Sequence, residues 1–419
     1  MAGMESNTTN LTRFNNPGTQ HLANGLGRRE FIRVTGITVF GLGLNGCLAT
    51  PASAAAETKA ATISREDIIA GLEIGTSKVC AAVARRLPDG TIKLLGIGQA
   101  PSFDVTRQSI VHSDVPGACL RAALADAEGE SNVKIRSVVL AVTGMKIAPY
   151  GSGLTWERIF ECEEVCYADR GDGELRRVGI EKCKRVPGLR VVWGAGTRIE
   201  NSIRCLKRLG IEVERIVFAP VASAEALLPA NRKKLGALVI DMGEGTTDYA
   251  VYAGGELVQS DSLPIGGEHI ASDLSRELRI PWACAEKLVI EEGSVRLGPS
   301  LPREFRPIVL WPKPGFSGRI IEREVFNTII HQTVREAFEL VKFRLVDSGV
   351  RLDSLRAGVR LTGGCSMLPG ICELANDFFG LWGARRTYLN LEGTSAFPGG
   401  SAAQRFTCAL GLLKLRGAG

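Results

Sequence analysis

The chain has 419 residues, 45% of them hydrophobic and 23% charged, with a formal net charge of +6. That length suits two domains or one large subdivided one, and the apolar share supports an ample core. The positive charge is modest, and the lysines and arginines are scattered without interleaved aromatics, which argues against nucleic acid as a partner.

Residues 1–63 are rich in Asn, Thr, Gly and Ala and lack sustained amphipathic periodicity. They fall outside the expected fold. Within them Arg28 and Arg29 precede Phe31 and Arg33, an apolar run begins at Ile37, and small residues occupy Ala52 to Ala54. This resembles a twin-arginine export signal, and Leu44 to Cys47 resembles a lipoprotein cleavage box. The eleven cysteines point the other way. None forms a Cys-x-x-Cys pair, and a scattered, odd-numbered set suits reduced thiols in a reducing compartment. Cys162 and Cys166, with Cys183 beyond, lack the histidine or second close pair that a tetrahedral zinc site needs.

From Ile68 the pattern changes. Residues 68–86 read as strand, tight glycine turn, strand, and "TIKLLGIGQA" continues as a third strand after the Pro-Asp-Gly turn at 88–90. A helix is expected over 115–128 and a buried strand over 138–144. Residues 146–190 carry no clear core pattern. A helix follows at 199–209, ended by Gly210, then a strand at 211–217 and a short helix after Pro220. Residues 237–252 repeat the strand–turn–strand order, and another glycine turn leads to a strand at 256–263, so 68–100 and 237–263 share one architecture. A long helix is expected over 322–347, with Val325, Ile329, Phe338, Val341 and Leu345 on its apolar face. Strand, Gly-Gly turn and helix follow from 356, and a last helix covers 401–415.

Three glycine turns carry chemistry: "GLEIGTSK" at 71–78, "DMGEGTTD" at 241–248 and "TGGCSMLPG" at 362–370. Glycine lets backbone approach an anion closely. Backbone N–H groups and Ser or Thr hydroxyls in such turns hold phosphate oxygens. An acid at the strand end holds magnesium, through water, against the phosphate charge. One such turn mostly just closes a hairpin. Two acid-bearing turns in a repeated architecture, with a third Gly-Gly turn after a strand, point to a nucleotide cleft.

With these motifs in place, the chain resembles the actin-like ATPase superfamily, and specifically the bacterial cell-division FtsA family. The matching segments are "GLEIGTSKVCAAVARRLPDGTIKLLGIGQAPS", "NSIRCLKRLGIEVERIVFAPVASAEALL", "LVIDMGEGTTDYAVYAGGELVQSDSLPIGGEHIASDL" and "VRLTGGCSMLPGICELA", in the family's order, and the resemblance covers most of 66–415. It implies an α/β, actin-like (ribonuclease H-like) fold of duplicated domains flanking a nucleotide cleft. The first half would be 64–145 completed by 396–419, with a reduced inserted subdomain at 146–195. The second half would be 196–270 completed by 350–395, with an inserted subdomain at 271–349. ATP and Mg2+ are the implied cofactors. Gly75, Thr76, Ser77 and Lys78 would form the first phosphate hairpin. Gly243, Gly245, Thr246 and Thr247 would surround the β- and γ-phosphates. Glu73 and Asp241 would stand near the metal, Gly363 and Gly364 would back the adenosine, and Glu286 would contact the ribose. Plainer readings exist for some: Thr247 and Asp248 as a hairpin cap, Glu286 as a solvated helix residue, Gly266 and Gly267 as turn formers.

The match departs from the family in four places. Glu244 replaces the middle glycine of a usual Gly-Gly-Gly, and a carboxylate beside phosphate is repulsive unless metal or solvent intervenes. The lysine usual three residues beyond Glu286 appears as Val289, with Lys287 nearby. The interval 146–195 is shorter than the family's self-association subdomain. The chain stops at "LLKLRGAG" without the family's basic amphipathic helix. The first two changes favour a nucleotide-binding scaffold with slow or absent hydrolysis over a fast ATPase.

The reading is a division protein that links tubulin-like FtsZ to the septal machinery, with nucleotide as a conformational and polymerisation switch. Expected partners are FtsZ, further copies of the chain in filaments, and membrane-anchored division proteins. The expected place is the cytoplasm at the inner face of the cell membrane near the septum, the alternative being export through the leader. The alternatives in function are a small-molecule phosphotransferase of the same fold, for which no catalytic acid has a kinase-like context, and a pilus-assembly relative that also binds ATP.

Overall fold

The computed structural model describes residues 67–102, 115–143, 145–149, 167–169, 176–177, 190–194, 196–298, 306–312, 316–384, 391–392 and 404–417. The leader arginines, the Cys162, Cys166 and Cys183 group and most of 146–195 lie outside the described residues. In chain order the elements are β1 (Ile68–Ile74), β2 (Lys78–Arg86), β3 (Ile92–Pro101), α1 (Val115–Ser131), β4 (Ser137–Val142), β5 (Met145–Pro149), β6 (Tyr167–Asp169), β7 (Arg176–Arg177), β8 (Arg190–Gly194), α2 (Gly196–Arg208) and β9 (Glu212–Phe218). Then come α3 (Ala219–Leu227), α4 (Ala230–Leu235), β10 (Ala237–Met242), β11 (Thr247–Ala253), β12 (Glu256–Leu263), α5 (Gly267–Leu278) and α6 (Trp282–Glu292). The last are β13 (Ile308–Leu310), β14 (Arg319–Ile321), α7 (Arg323–Asp347), β15 (Val359–Thr362), α8 (Ile371–Phe379), β16 (Gly383–Ala384), β17 (Leu391–Glu392) and α9 (Thr407–Gly417).

Two sheets contain the same five-strand order. The first runs β17-β3-β2-β1-β4-β9 and the second β16-β15-β10-β11-β12-β5-β8-β6-β7. In each, three antiparallel strands (β1–β2–β3, β10–β11–β12) are followed beyond the first strand by two parallel ones (β4 and β9, β15 and β16). The repeat read from the two glycine hairpins therefore extends through both sheets. Beyond β12 the second sheet continues into β5, where Ser260 pairs with Ile147. The described strands of the interval expected as a reduced subdomain thus lie along that edge.

The strands read as unbroken apolar runs because both faces are covered. Along β1 and β2, Ala70, Leu72, Val79, Ala81 and Val83 enter one core, and Ile69, Cys80, Ala82 and Ala84 enter another against Phe406, Ala409, Leu410 and Leu413. In the second sheet Leu238, Ile240, Tyr249 and Val251 pack with Ile270, Leu274, Ala285, Phe326, Ile330 and Phe338. The buried face of α7 is rotated from the expected one. Phe326, Ile330 and Val334 lead it, whereas Val325 is 47% exposed. Phe338, Val341 and Leu345 are buried as expected.

Helix α3 is apolar nearly all round, and its residues share a core with β1 and β4 of the first sheet and with Ala237, Val239 and Ala250 of the second. Such a helix has to be buried. Helix α9 crosses it at backbone contact, since a Cβ on Gly411 would stand 1.7 Å from the Ala222 carbonyl oxygen. Gly411→Ala is therefore expected to cost roughly 2–3 kcal/mol, because neither helix can yield without disturbing a sheet. Gly129→Ala, at a helical site with open space, is expected to be neutral or stabilising by up to ~1 kcal/mol. Thermal unfolding of the two variants compares them directly.

Candidate functional site

The two hairpin turns close in the same way. The Gly75 N–H donates to the Lys78 carbonyl at 2.9 Å, and the Gly243 N–H donates to the Thr246 carbonyl at 2.8 Å. Glu73 and Asp241 occupy matching positions, each two residues before its turn glycine. Both turns line one cleft of about 470 Å³, a size that suits a small-molecule ligand.

Glu73, Gly75, Thr76, Ser77 and Lys78 line the cleft from the first turn, and Asp241, Gly243, Gly245 and Thr246 from the second. Glu286, Gly363 and Gly364 complete the set expected from the sequence. Thr247 does not join it. It is fully buried, and its hydroxyl donates to the Ile265 carbonyl at 2.7 Å. Successive strand residues face opposite ways, so its neighbour Asp248 reaches the cleft instead. Lys287 is likewise no substitute for the family lysine: it pairs with Glu291 at 3.7 Å, 70% exposed, while Val289 lines the cleft.

The floor concentrates acid. Burial pushes the Glu73 carboxyl up to about 7, Lys78 opposing the shift and Asp241 adding to it. The Glu73 Oε2 atom is closed to solvent and has no hydrogen-bond partner. Asp241 is also raised by burial, against the pull of a hydrogen bond from Ser223 and the charge of Lys78. The Ser223 hydroxyl, from α3, reaches Asp241 Oδ2 at 2.6 Å. The Lys78 ammonium donates to the Arg405 carbonyl, just before α9. Ser223 and Arg405 carried no signal in the sequence, one lying in a run of small residues and the other acting through its backbone.

Gly363 holds the third turn against this floor. Its φ is 85°, and a Cβ there would meet the Met242 carbonyl oxygen at 2.4 Å and Asp241 Oδ1 at 2.5 Å. Cys365 then ties that turn to the second hairpin, its Sγ lying 3.3 Å from the Gly243 carbonyl. On the far wall, Trp282, Glu286, Val289 and Ile290 present one face of α6 to the cleft, and Gly293 lines it just past the helix end. Trp282 is 43% exposed and Ile290 74%, which leaves an apolar wall carrying one carboxylate.

Hard carboxylate oxygens, one of them buried without a partner, suit a magnesium ion that keeps most of its water. Among the described residues no group of three or more His, Cys, Asp or Glu forms a metal cage.

The cell division protein FtsA of Neisseria meningitidis serogroup B is 31% identical over 379 residues, covering 82% of this chain and 89% of that protein. The chain belongs to the FtsA family of cell division proteins. The family described as "Cell division protein FtsA" matches at residues 238–399. FtsA of Escherichia coli K12 is 26% identical over 346 residues, covering 74% of this chain and 82% of that one. At 25–31% identity this is a diverged FtsA. Solved structures similar to it are actin-like. A PilM–PilN type IV pilus biogenesis complex superposes with a TM-score of 0.60 at 16% identity, covering 84% of this chain and 98% of that one. MreB5 of Spiroplasma citri, bound to AMPPNP, superposes with a TM-score of 0.52 at 17% identity, covering 83% and 95%. These two likenesses establish the fold: two α/β halves of the actin type.

The raised Glu73 carboxyl gives this FtsA a pH signature. The unfolded chain releases that proton near 4.5 and the folded chain near 7. Between those values the folded state binds more protons, so its stability falls as pH rises and levels off above about 7. The full shift corresponds to roughly 3 kcal/mol, and less for a side chain that keeps some water contact. Urea unfolding in a chelator at pH 5 and pH 8 is expected to show that loss. Glu73→Gln is expected to shrink it and to raise stability at pH 8.

Proposed function

We propose that this cell-division protein binds an adenine nucleotide with magnesium in the cleft between its two halves, and that the nucleotide is its conformational and polymerisation switch. The observation that carries the reading is the matched pair of turns, with equivalent glycines and equivalent acids, facing one cleft. In this reading the N–H groups of both turns, with the Thr76, Ser77 and Thr246 hydroxyls, hold phosphate oxygens. Lys78 supplies positive charge between the acids and the phosphates. Glu73 and Asp241 hold magnesium through water, and the ion offsets phosphate charge. Gly363 and Gly364 let the adenosine lie close to backbone, Glu286 accepts from the ribose, and Trp282 and Ile290 cover the base. MreB5 of the same fold, solved with AMPPNP and with ADP, supports the choice of ligand.

A nucleotide that touches both turns favours whichever arrangement of the halves lets it touch both at once. Closure would then prepare the surface for self-association into filaments and for FtsZ, which the inserted region 271–349 would engage. The protein would thereby link FtsZ to the septal machinery at the inner face of the cell membrane. Among the described residues no helix is long and apolar enough to cross a membrane.

Calorimetry of the full chain with Mg-ATP tests the cleft. Asp241→Ala is expected to weaken binding by roughly tenfold or more, the loss of a charged partner; equal affinity in the two proteins would sink the reading. A second measurement separates the partner surface from the cleft. Neutralising the exposed charges Arg276, Arg335 and Glu339 is expected to weaken FtsZ binding by about tenfold and to leave ATP affinity within about twofold. FtsZ binding unchanged by the substitutions would remove 271–349 as the contact.

A further inference from the structure

Glu244 stands at the tip of the second turn, between Gly243 and Gly245. The Ser77 hydroxyl of the opposing turn lies near its carboxylate and favours the charged form, and both residues line the cleft. Its Oε2 atom is closed to solvent and has no hydrogen-bond partner. Two further carboxylates line the same cleft near it, Glu268 on the adjoining helix α5 and Glu286 on α6.

The backbone beneath Glu244 is fixed. The first N–H groups of α5 bind the turn, Gly267 donating to the Gly243 carbonyl at 3.0 Å and Glu268 to the Glu244 carbonyl at 2.9 Å. A Cβ on Gly266 would stand 2.4 Å from that Glu244 carbonyl oxygen, so helix and turn touch at backbone distance. The turn therefore cannot carry the carboxylate away. Only rotation of the side chain can.

This position has a consequence for charge. If the two turns hold the phosphates, as proposed above, the space between their tips belongs to the end of the phosphate chain. Glu244 already places one negative group there. A terminal phosphate and a carboxylate cannot share a part-buried space without a large repulsive cost. A shorter phosphate chain leaves the carboxylate where it is.

We propose that Glu244 is a specificity-determining residue that stands in for the terminal phosphate and makes the cleft prefer a nucleoside diphosphate to the triphosphate. The proposal rests on the nucleotide reading of the cleft. The diphosphate leaves the carboxylate in place, and triphosphate entry requires it to swing out.

The test is calorimetry of the full chain with Mg-ADP and Mg-ATP, for the native protein, Glu244→Gly and the near-isosteric Glu244→Gln, each checked for folding by its melting transition. The native protein is expected to bind Mg-ADP about tenfold more tightly than Mg-ATP. Both substitutions are expected to tighten Mg-ATP by about tenfold and to leave Mg-ADP within about threefold. Nucleotide binding with the ATP-to-ADP ratio unchanged in both variants overturns the specificity role of Glu244 and leaves the cleft assignment standing. Absence of binding of either nucleotide to all three proteins overturns the cleft assignment, and the role of Glu244 with it.

Discussion

Helix α3 crosses α9 where Gly411 meets Ala222, and the relation between the two sheets depends on that crossing. The helices come from distant parts of the chain, yet they form one floor. Helix α3 carries the chain from the first sheet to the second. Helix α9 returns beneath β1 and β2 and closes their second core. The acids of the cleft are anchored to the same floor. Ser223 of α3 holds Asp241, and the Arg405 carbonyl, two residues before α9, holds Lys78. Packing and site electrostatics are therefore one problem here. A change that forces the helices apart also moves the groups that set the charge state of Glu73 and Asp241.

The cleft is a duplicated structure whose two copies have drifted apart in charge. Both turns keep the same hydrogen bond and the same acid position. The first then adds Ser77 and Lys78, whereas the second adds Glu244. Serine and lysine on one lip face a carboxylate on the other.

Much of this was legible in the sequence, because glycine turns, strand-end acids and apolar alternation leave strong local marks. The repeat was visible in two hairpins and proved to run through five strands of each sheet. Glu286 came from the family resemblance alone, against the plainer reading of a solvated helix residue, and it lies on the otherwise apolar face of α6 that lines the cleft. The failures have physical causes. Thr247 sits one residue past the turn, where the strand's alternation has already sent its side chain into the core. The apolar stripe of α7 was misjudged at its start because Val325 and Phe326 are both apolar and only packing chooses between them. Ser223 and the Arg405 carbonyl act over long sequence separations that no local pattern encodes. Gly411 looks like a flaw in a leucine-rich helix until the helix that touches it is known.

The strand β5 gives the molecule a mechanical property. Strand β4 ends at Val142 in the first sheet and β5 begins at Met145 against the second. Two residues span that passage, against the whole of α3 and α4 between β9 and β10. The chain passes between the sheets again from β8 through α2 to β9 and from β16 to β17. A tether that short reaches about 11 Å at most, so the end of β4 stays within that distance of the start of β5 however the sheets turn.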